Sequence, residues 1–428
     1  MKEKRFTRPE WAWMLYDFTT NAYATTMLAA IFPIYFNTVL GQNTLGLQLK
    51  GYAASFVMLL SAISCPVLGT IGDCRGMKKR LWAVFVFTGA GLTLCLSFVN
   101  TWQLLLAGYI LSNLAYNCAV LFYDSFLTDV TTPERMHRVS TWAFAIGYLG
   151  GGVMLLILSV ILMAMNGISN PESVKIAFAL TAAWWIIFSL PMMIRVKQTH
   201  SSDKSIKEVT HNLFFQLRGT IISIINNKGL LFFILAYFFY IDGVGTVITM
   251  ATSYGNTLGL SSTLMIAALL TTQIVAVPFS ILFGKLASKF SAVRLITVAI
   301  GVYICICIIA FYMGYSIETS GAGITYDSAI NHGQILFWVM AGMVGMVQGG
   351  IQALSRSQFG QMVPRERSNE YFGFFSIFSR FASILGPFLM ALTTGITGRS
   401  SFGILSVIIL FIAGGALLLS GRKHINAL

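Results

Sequence analysis

The sequence predicts an all-α membrane protein, with twelve transmembrane helices in two six-helix, pseudo-symmetric bundles, and three observations carry that prediction. Of 428 residues, 56% are hydrophobic and only 10% are charged. The mean hydropathy of +0.75 lies outside the range of domains that fold in water. The apolar residues gather into runs long enough to cross a hydrocarbon core, which takes about 20 residues of helix. The two halves of the chain also align weakly with each other.

The runs lie at residues 11–40, 51–72, 81–99, 103–123, 139–165, 175–194, 229–255, 262–283, 293–315, 334–355, 370–396 and 401–421. Backbone groups in lipid must pair within their own segment, and these runs are too long for barrel strands, so each is expected as a helix. The first run is too long for a secretory signal and lacks a small-residue cleavage site, so it is expected to remain as a span. Lys and Arg collect on one side of the predicted membrane. They sit near the N-terminus, in the loop from Arg75 to Arg80, at Arg135 and Arg138, in the 195–228 connection, from Lys285 to Arg294, and at Arg365, Arg367, Arg422 and Lys423. Only Lys50, Lys175 and Arg399 fall on the other side. Basic loops stay in the cytoplasm, which places both termini there and agrees with an even number of spans. The net charge of +13 is then dispersed over loops facing an anionic leaflet, and no nucleic-acid partner is expected.

Cys65, Cys74, Cys95, Cys118, Cys305 and Cys307 show no spacing of a metal site or a disulfide framework, so no metal is expected. His137, His200, His211, His332 and His424 lie outside the predicted spans or at their ends, which argues against a buried histidine proton relay. No cofactor is implied, and no nucleotide-binding loop is present to supply energy.

The connection after span six divides the chain into an N-terminal bundle, 1–194, a linker, 195–228, and a C-terminal bundle, 229–428. In the linker, Val209, Leu213, Phe214 and Leu217 recur at helical spacing against Lys207, Glu208, His211 and Arg218, the pattern of an amphipathic helix at the membrane interface. Laying "LYDFTTNAYAT" over "AYFFYIDGVGT" pairs Tyr16 with Tyr237, Asn21 with Asp242 and Thr25 with Thr246. "GTIGDCRGMKKR" over "GKLASKFSAVR" pairs Gly69 with Gly284 and Asp73 with Ser288, and Pro133 with Pro364 brings Asn117 over Gln348. Together these matches indicate parallel repeats about an axis along the membrane normal.

Gly69, Asp73, Arg75, Gly76, Lys79 and Arg80 resemble the signature between helices two and three of the major facilitator superfamily, with Cys74 where a basic residue is common. "YDFTTNAYATTMLAAIFPIYF", "TPERMHRVSTWAFAIGYLGGG" and "GMVQGGIQALSRSQFGQMVPRERSNEYFGFFSIFSRFASILGP" resemble the branch of vacuolar amino-acid effluxers of the autophagy pathway. The resemblance implies the major facilitator fold, with helices 1, 4, 7 and 10 lining a central cavity. A charge at a lipid-facing helix centre costs roughly 2.5–3.5 kcal/mol on insertion scales, so polar residues should concentrate on those inner helices. Asp17 and Asn21 fall on span one, Asn113 and Asn117 on span four, Asp242 on span seven, and Gln348 and Gln352 on span ten. The middles of spans three, six, nine and twelve carry no charged or amide residue.

The candidate substrate-binding residues are therefore Asn21, Asn113, Asn117, Asp242, Gln348, Gln352 and Arg380. Arg380 lies about ten residues into span eleven, roughly 15 Å deep in a ~30 Å core, where its guanidinium needs a protein or substrate anion. Asp242 and Asp17 are candidates for proton coupling. A gate is expected from Asp73, Arg75, Lys79, Arg80, Asp124, Arg135 and Glu370, with Asp73 near the start of span eleven and Asp124 and Asp129 reaching Arg135 or Arg138. Thr19, Thr20, Thr25 and Thr26 are expected to bond back to their own helix rather than to a substrate. The function implied is that of a secondary active transporter for amino acids or similar small zwitterions, with export favoured, working by alternating access with a proton or another coupling ion. It is expected as a monomer in the lipid bilayer of a bacterial cytoplasmic membrane. A lipid or glycolipid flippase and a multidrug exporter fit the same fold. An intramembrane aspartyl protease fits less well, because the glycine pattern before "YIDGVG" is missing.

Overall fold

A computed structural model describes residues 5–40, 44–155, 157–159, 161, 171–320, 324–381 and 384–426, apart from some helix side chains such as that of Arg380. Ten described helices are long and apolar enough to cross a membrane: Leu49–Gly72, Met77–Phe98, Trp102–Val130, Pro133–Ser159, Val174–Arg195, Lys228–Thr257, Ala267–Leu286, Ala292–Thr319, Tyr326–Met362 and Ser400–Ser420. They correspond to predicted spans two to ten and span twelve. The two remaining spans are helical but segmented.

Span one starts at Thr7, whose hydroxyl accepts from Glu10 N while the Glu10 carboxylate accepts from Thr7 N at 2.7 Å, a reciprocal cap. The helix Arg8–Tyr23 widens into a π-helical turn, Ala24–Ala30, before Ile31–Val39. Pro33 has no N–H to return to the carbonyl four residues earlier, so a regular α-helical ladder cannot run through this point. Thr20, Thr25 and Thr26 bond back to the carbonyls of Asp17, Asn21 and Ala22.

Span eleven is two helices, Ser368–Phe381 and Leu385–Thr397, where one continuous helix over 370–396 was expected. Pro387 falls in the first turn of the second helix, where its missing N–H costs no intrahelical bond. Span ten runs well past the expected 334–355, as the 39-residue helix Ile324–Met362. The linker also departs from expectation. It forms two helices, Ile206–His211 and Leu213–Asn226, with Asn212 interrupting the apolar phase read from the sequence. Val209, assigned to the lipid side, is buried in the protein.

The chain forms two compact units. The first comprises Met1–Ile221 together with Val363–Ile377. Its core is aromatic: Trp13 stacks on Tyr123, Tyr16 packs edge-on to Trp82, and the Trp185 indole donates to Tyr16 Oη at 3.3 Å. The second comprises Ile222–Met362 and Phe378–Leu428. Its core includes Tyr240, bonded to Ser355 at 2.6 Å, and Tyr303 stacked on Phe411.

Candidate functional site

In the first unit the site is built on the tight loop after the helix Thr44–Gly72. Gly76 turns this loop with φ +74°, a conformation other residues resist. Asp73, 4% exposed, reaches the start of the helix Ser368–Phe381. Its Oδ1 accepts from Asn369 N at 2.9 Å and Nδ2 at 2.8 Å, and its Oδ2 accepts from Glu370 N at 2.9 Å. These are orphan donors of a helix N-terminus, whose dipole favours an anion. Close approach depends on Gly69, since a Cβ there would lie 2.4 Å from the Asn369 carbonyl oxygen. Burial pushes the Asp73 carboxyl up to about 7, against the Lys78 charge and the N–H donors, which favour the ionised form.

The expected partnership of Asp73 with Glu370 is thus made through the Glu370 backbone. The Glu370 side chain instead takes Arg367 Nε and Nη2, both at 3.0 Å, and the Thr220 hydroxyl. Of the basic residues in the loop, Arg75 and Arg80 are exposed and Lys79 is half-buried. The buried cation is Lys78, which binds Asp129 Oδ2 at 2.7 Å and Ser368 Oγ at 3.0 Å and lies over the Phe126 ring. Asp129 Oδ1 in turn accepts from Thr199 N and Oγ1, both at 2.8 Å, and from His200 N at 2.9 Å. The first part of the linker is therefore built into this cluster, and Ser202 N also donates to the Asp73 carbonyl at 2.8 Å. Arg135 pairs with Glu10 at 2.8 Å, a partner the sequence reading did not name. Asp124 is half-buried and partnered.

The sequence groups Lys78 with Lys79 and Arg80 in one basic cluster, and it also shows which of the three is buried. The helix Met77–Cys95 buries Lys78, Trp82, Val86, Gly89 and Thr93, and the phase of Trp82 and Val86 points to Lys78 one turn earlier. Nothing in the sequence points to Thr199, His200 or Asn369, which act largely through backbone N–H groups.

Nearer the middle of the chain's spans, Asp17 is buried and its Oδ1 accepts from Thr20 at 2.7 Å. Asn21 donates to the Asp17 carbonyl. Asn113 and Asn117 share a face, with Asn117 Nδ2 bonded to Asn113 Oδ1 at 3.2 Å. In the second unit Asp242 is fully buried. Its Oδ1 accepts from Gly386 N at 3.0 Å and its Oδ2 from Leu385 N at 3.1 Å, so it caps the second half of span eleven. Thr246 adds a 3.4 Å contact. Among the described residues no basic side chain pairs with Asp242, and the Arg380 side chain lies outside them. Gln348 is buried beside a mostly apolar cavity of about 80 Å³ bounded by Val247, Tyr254, Thr272 and Met340, while Gln352 is half-buried. Among the described residues no cluster of metal-ligating side chains occurs.

Comparison with known proteins matches residues 7–422 to the family described as "Vacuole effluxer Atg22 like". The chain belongs to the Atg22-like family of major facilitator transporters. It is 39% identical over 421 residues to the uncharacterized MFS-type transporter YxiO of Bacillus subtilis, covering 96% of this chain and 94% of that protein. It is 24% identical over 297 residues to Autophagy-related protein 22 of Cryptococcus neoformans, covering 68% of this chain but 52% of that longer protein. The fold matches the major facilitator transporter FucP in its outward conformation, with a TM-score of 0.69 at 14% identity over 97% of this chain and 98% of that one. This Atg22-like chain is thus a multi-pass membrane transporter and not an enzyme, as its sequence implied.

Proposed function

We propose that this Atg22-like transporter exports amino acids or similar small zwitterions across a bacterial cytoplasmic membrane by alternating access, coupled to protons at Asp242. One observation carries the coupling: a fully buried carboxylate whose described donors are the neutral N–H groups of Leu385 and Gly386 and the Thr246 hydroxyl. Neutral dipoles hold a buried charge less firmly than a cation does, so such a group exchanges its proton when water reaches it. Asp17 is the second proton candidate. Asn21, Asn113, Asn117, Gln348 and Gln352 supply amide donors and acceptors for a zwitterion, and the Arg380 fork supplies two parallel bonds to its carboxylate. The Asp73 and Lys78 cluster is the gate in this reading, with Arg75, Lys79 and Arg80 on its rim and Asp124, Arg135 and Glu370 flanking it. The effluxer description of the family favours export.

The test uses purified protein in liposomes, screened across amino acids, peptides and lipids. Asp242→Asn is expected to abolish accumulation driven by a pH gradient while sparing substrate exchange at equal pH. Gradient-driven accumulation at the wild-type rate in that variant would remove Asp242 from the mechanism. For Arg380, a substrate and its carboxamide are compared, and equal binding of the two would overturn the carboxylate anchor.

A further inference from the structure

The helix Leu213–Asn226 has two sides with different surroundings. On one side Thr220 and Ile224 are buried. Thr220 Oγ1 bonds to Glu370, in the first turn of the helix Ser368–Phe381, and to Arg367, in the turn just before it, which fixes that side to the start of this helix. On the other side stand Phe214 and Phe215, 73% and 69% exposed, and Ile221, Ile222 and Ile225, 45%, 45% and 54% exposed. At about 100° per residue these five side chains fall within one arc roughly 120° wide. Arg218 lies inside the arc and is exposed.

We propose that this arc is seated in the bilayer interface, with Arg218 held at anionic lipid headgroups. Fourteen residues make about 21 Å of helix, too short to cross a ~30 Å core, so the helix lies in the membrane plane. Lipid is also the occupant that suits a guanidinium in the middle of an apolar arc. A protein partner would have to bury that charge against a matching acid, whereas at the headgroup layer the Arg218 stem lies along the apolar side chains and its head reaches a phosphate. Because the opposite side grips Arg367 and Glu370, the seat in the membrane and the start of the helix Ser368–Phe381 move as one body. The arc shares Phe214 with the Val209, Leu213, Phe214 and Leu217 pattern that the sequence suggests, and its other members differ.

The experiment places nitroxide labels through Phe214→Cys, Ile221→Cys and Ile225→Cys in the full-length protein, reconstituted in phosphatidylcholine vesicles with or without phosphatidylglycerol. Lys207→Cys serves as the aqueous reference and Val298→Cys as the lipid reference. The unsubstituted protein, labelled in parallel, gives the background from the exposed Cys95 and Cys305. The ratio of collisions with oxygen to those with a water-soluble nickel chelate is expected to shift at 214, 221 and 225 from the value at 207 towards that at 298. Phosphatidylglycerol should enlarge the shift in the Arg218 protein and not in Arg218→Gln. Nickel-dominated collisions at all three positions would overturn the membrane seat, and are also the result if another protein covers the arc in the cell. A shift that ignores phosphatidylglycerol would overturn the headgroup assignment.

Discussion

Asp73 and Asp242 perform the same local task in different surroundings. Each is buried, and each carboxylate receives the first free N–H groups of one half of span eleven. Beside Asp73 stands a full charge, Lys78, itself committed to Asp129 and Ser368. Beside Asp242 the described donors are dipoles only. The N-terminal cap is common to both, so it cannot be what distinguishes them. Among the described residues the difference lies in counter-charge, which makes the first site vulnerable to loss of a cation.

The largest effect should come from removing that cation. Lys78→Met leaves Asp129 buried without its ion partner, a loss of about 3–5 kcal/mol for a broken buried pair. Thermal unfolding in detergent measures it. The double variant Lys78→Met with Asp129→Leu should recover only part of the loss, because the N–H groups of Thr199 and His200 then lose their acceptor. Full recovery would show that the linker contacts contribute nothing.

Next in size is the pH response of Asp73. Its carboxyl, raised from 3.8 to about 7, keeps a proton in the folded state that the unfolded chain releases. The stability this contributes is fully present below about pH 4 and is lost as the pH rises through about 7, on the order of a few kcal/mol. Asp73→Asn removes the proton from the balance. The wild type should therefore gain on Asp73→Asn when unfolding is measured at about pH 5 instead of about pH 8. A gap between the two proteins that is constant across that range would show that Asp73 keeps its charge throughout.

The smallest effects calibrate the others. Thr7→Ala removes the side-chain half of the first helix's cap and should cost about 1 kcal/mol. Arg80→Ala, at an exposed position in the same first helical turn as Lys78, should change stability by less than about 0.5 kcal/mol. If Arg80→Ala matched Lys78→Met in the same melting assay, burial would not be what separates the two cations.

The fold was legible because lipid imposes so few solutions. Twelve apolar runs and dispersed basic loops could scarcely be read otherwise. The division of span eleven was not legible, because its apolar residues run on at span length through 370–396. In the first unit's cluster, Asp73 was visible from its motif, whereas the burial of Lys78 required following the phase of Trp82 and Val86 back by one turn. Glu10 was hidden because an acidic residue in a first turn already has a reason to be there. The linker's hold on Asp129 was not legible, because Thr199 and His200 act largely through backbone N–H groups that any residue except proline possesses.

The first unit includes Val363–Ile377, and this has a consequence for biosynthesis. The segment leaves the ribosome roughly 140 residues after the rest of that unit, a delay of about 7–30 s at 5–20 residues per second. Through that interval Asp73 lacks Asn369 and Glu370, and Lys78 lacks Ser368, so a nascent six-helix half sits in the translocon with its costliest charges incompletely satisfied. Quality control should therefore recognise chains that stop before residue 363 as unfinished even though their first six spans are already inserted.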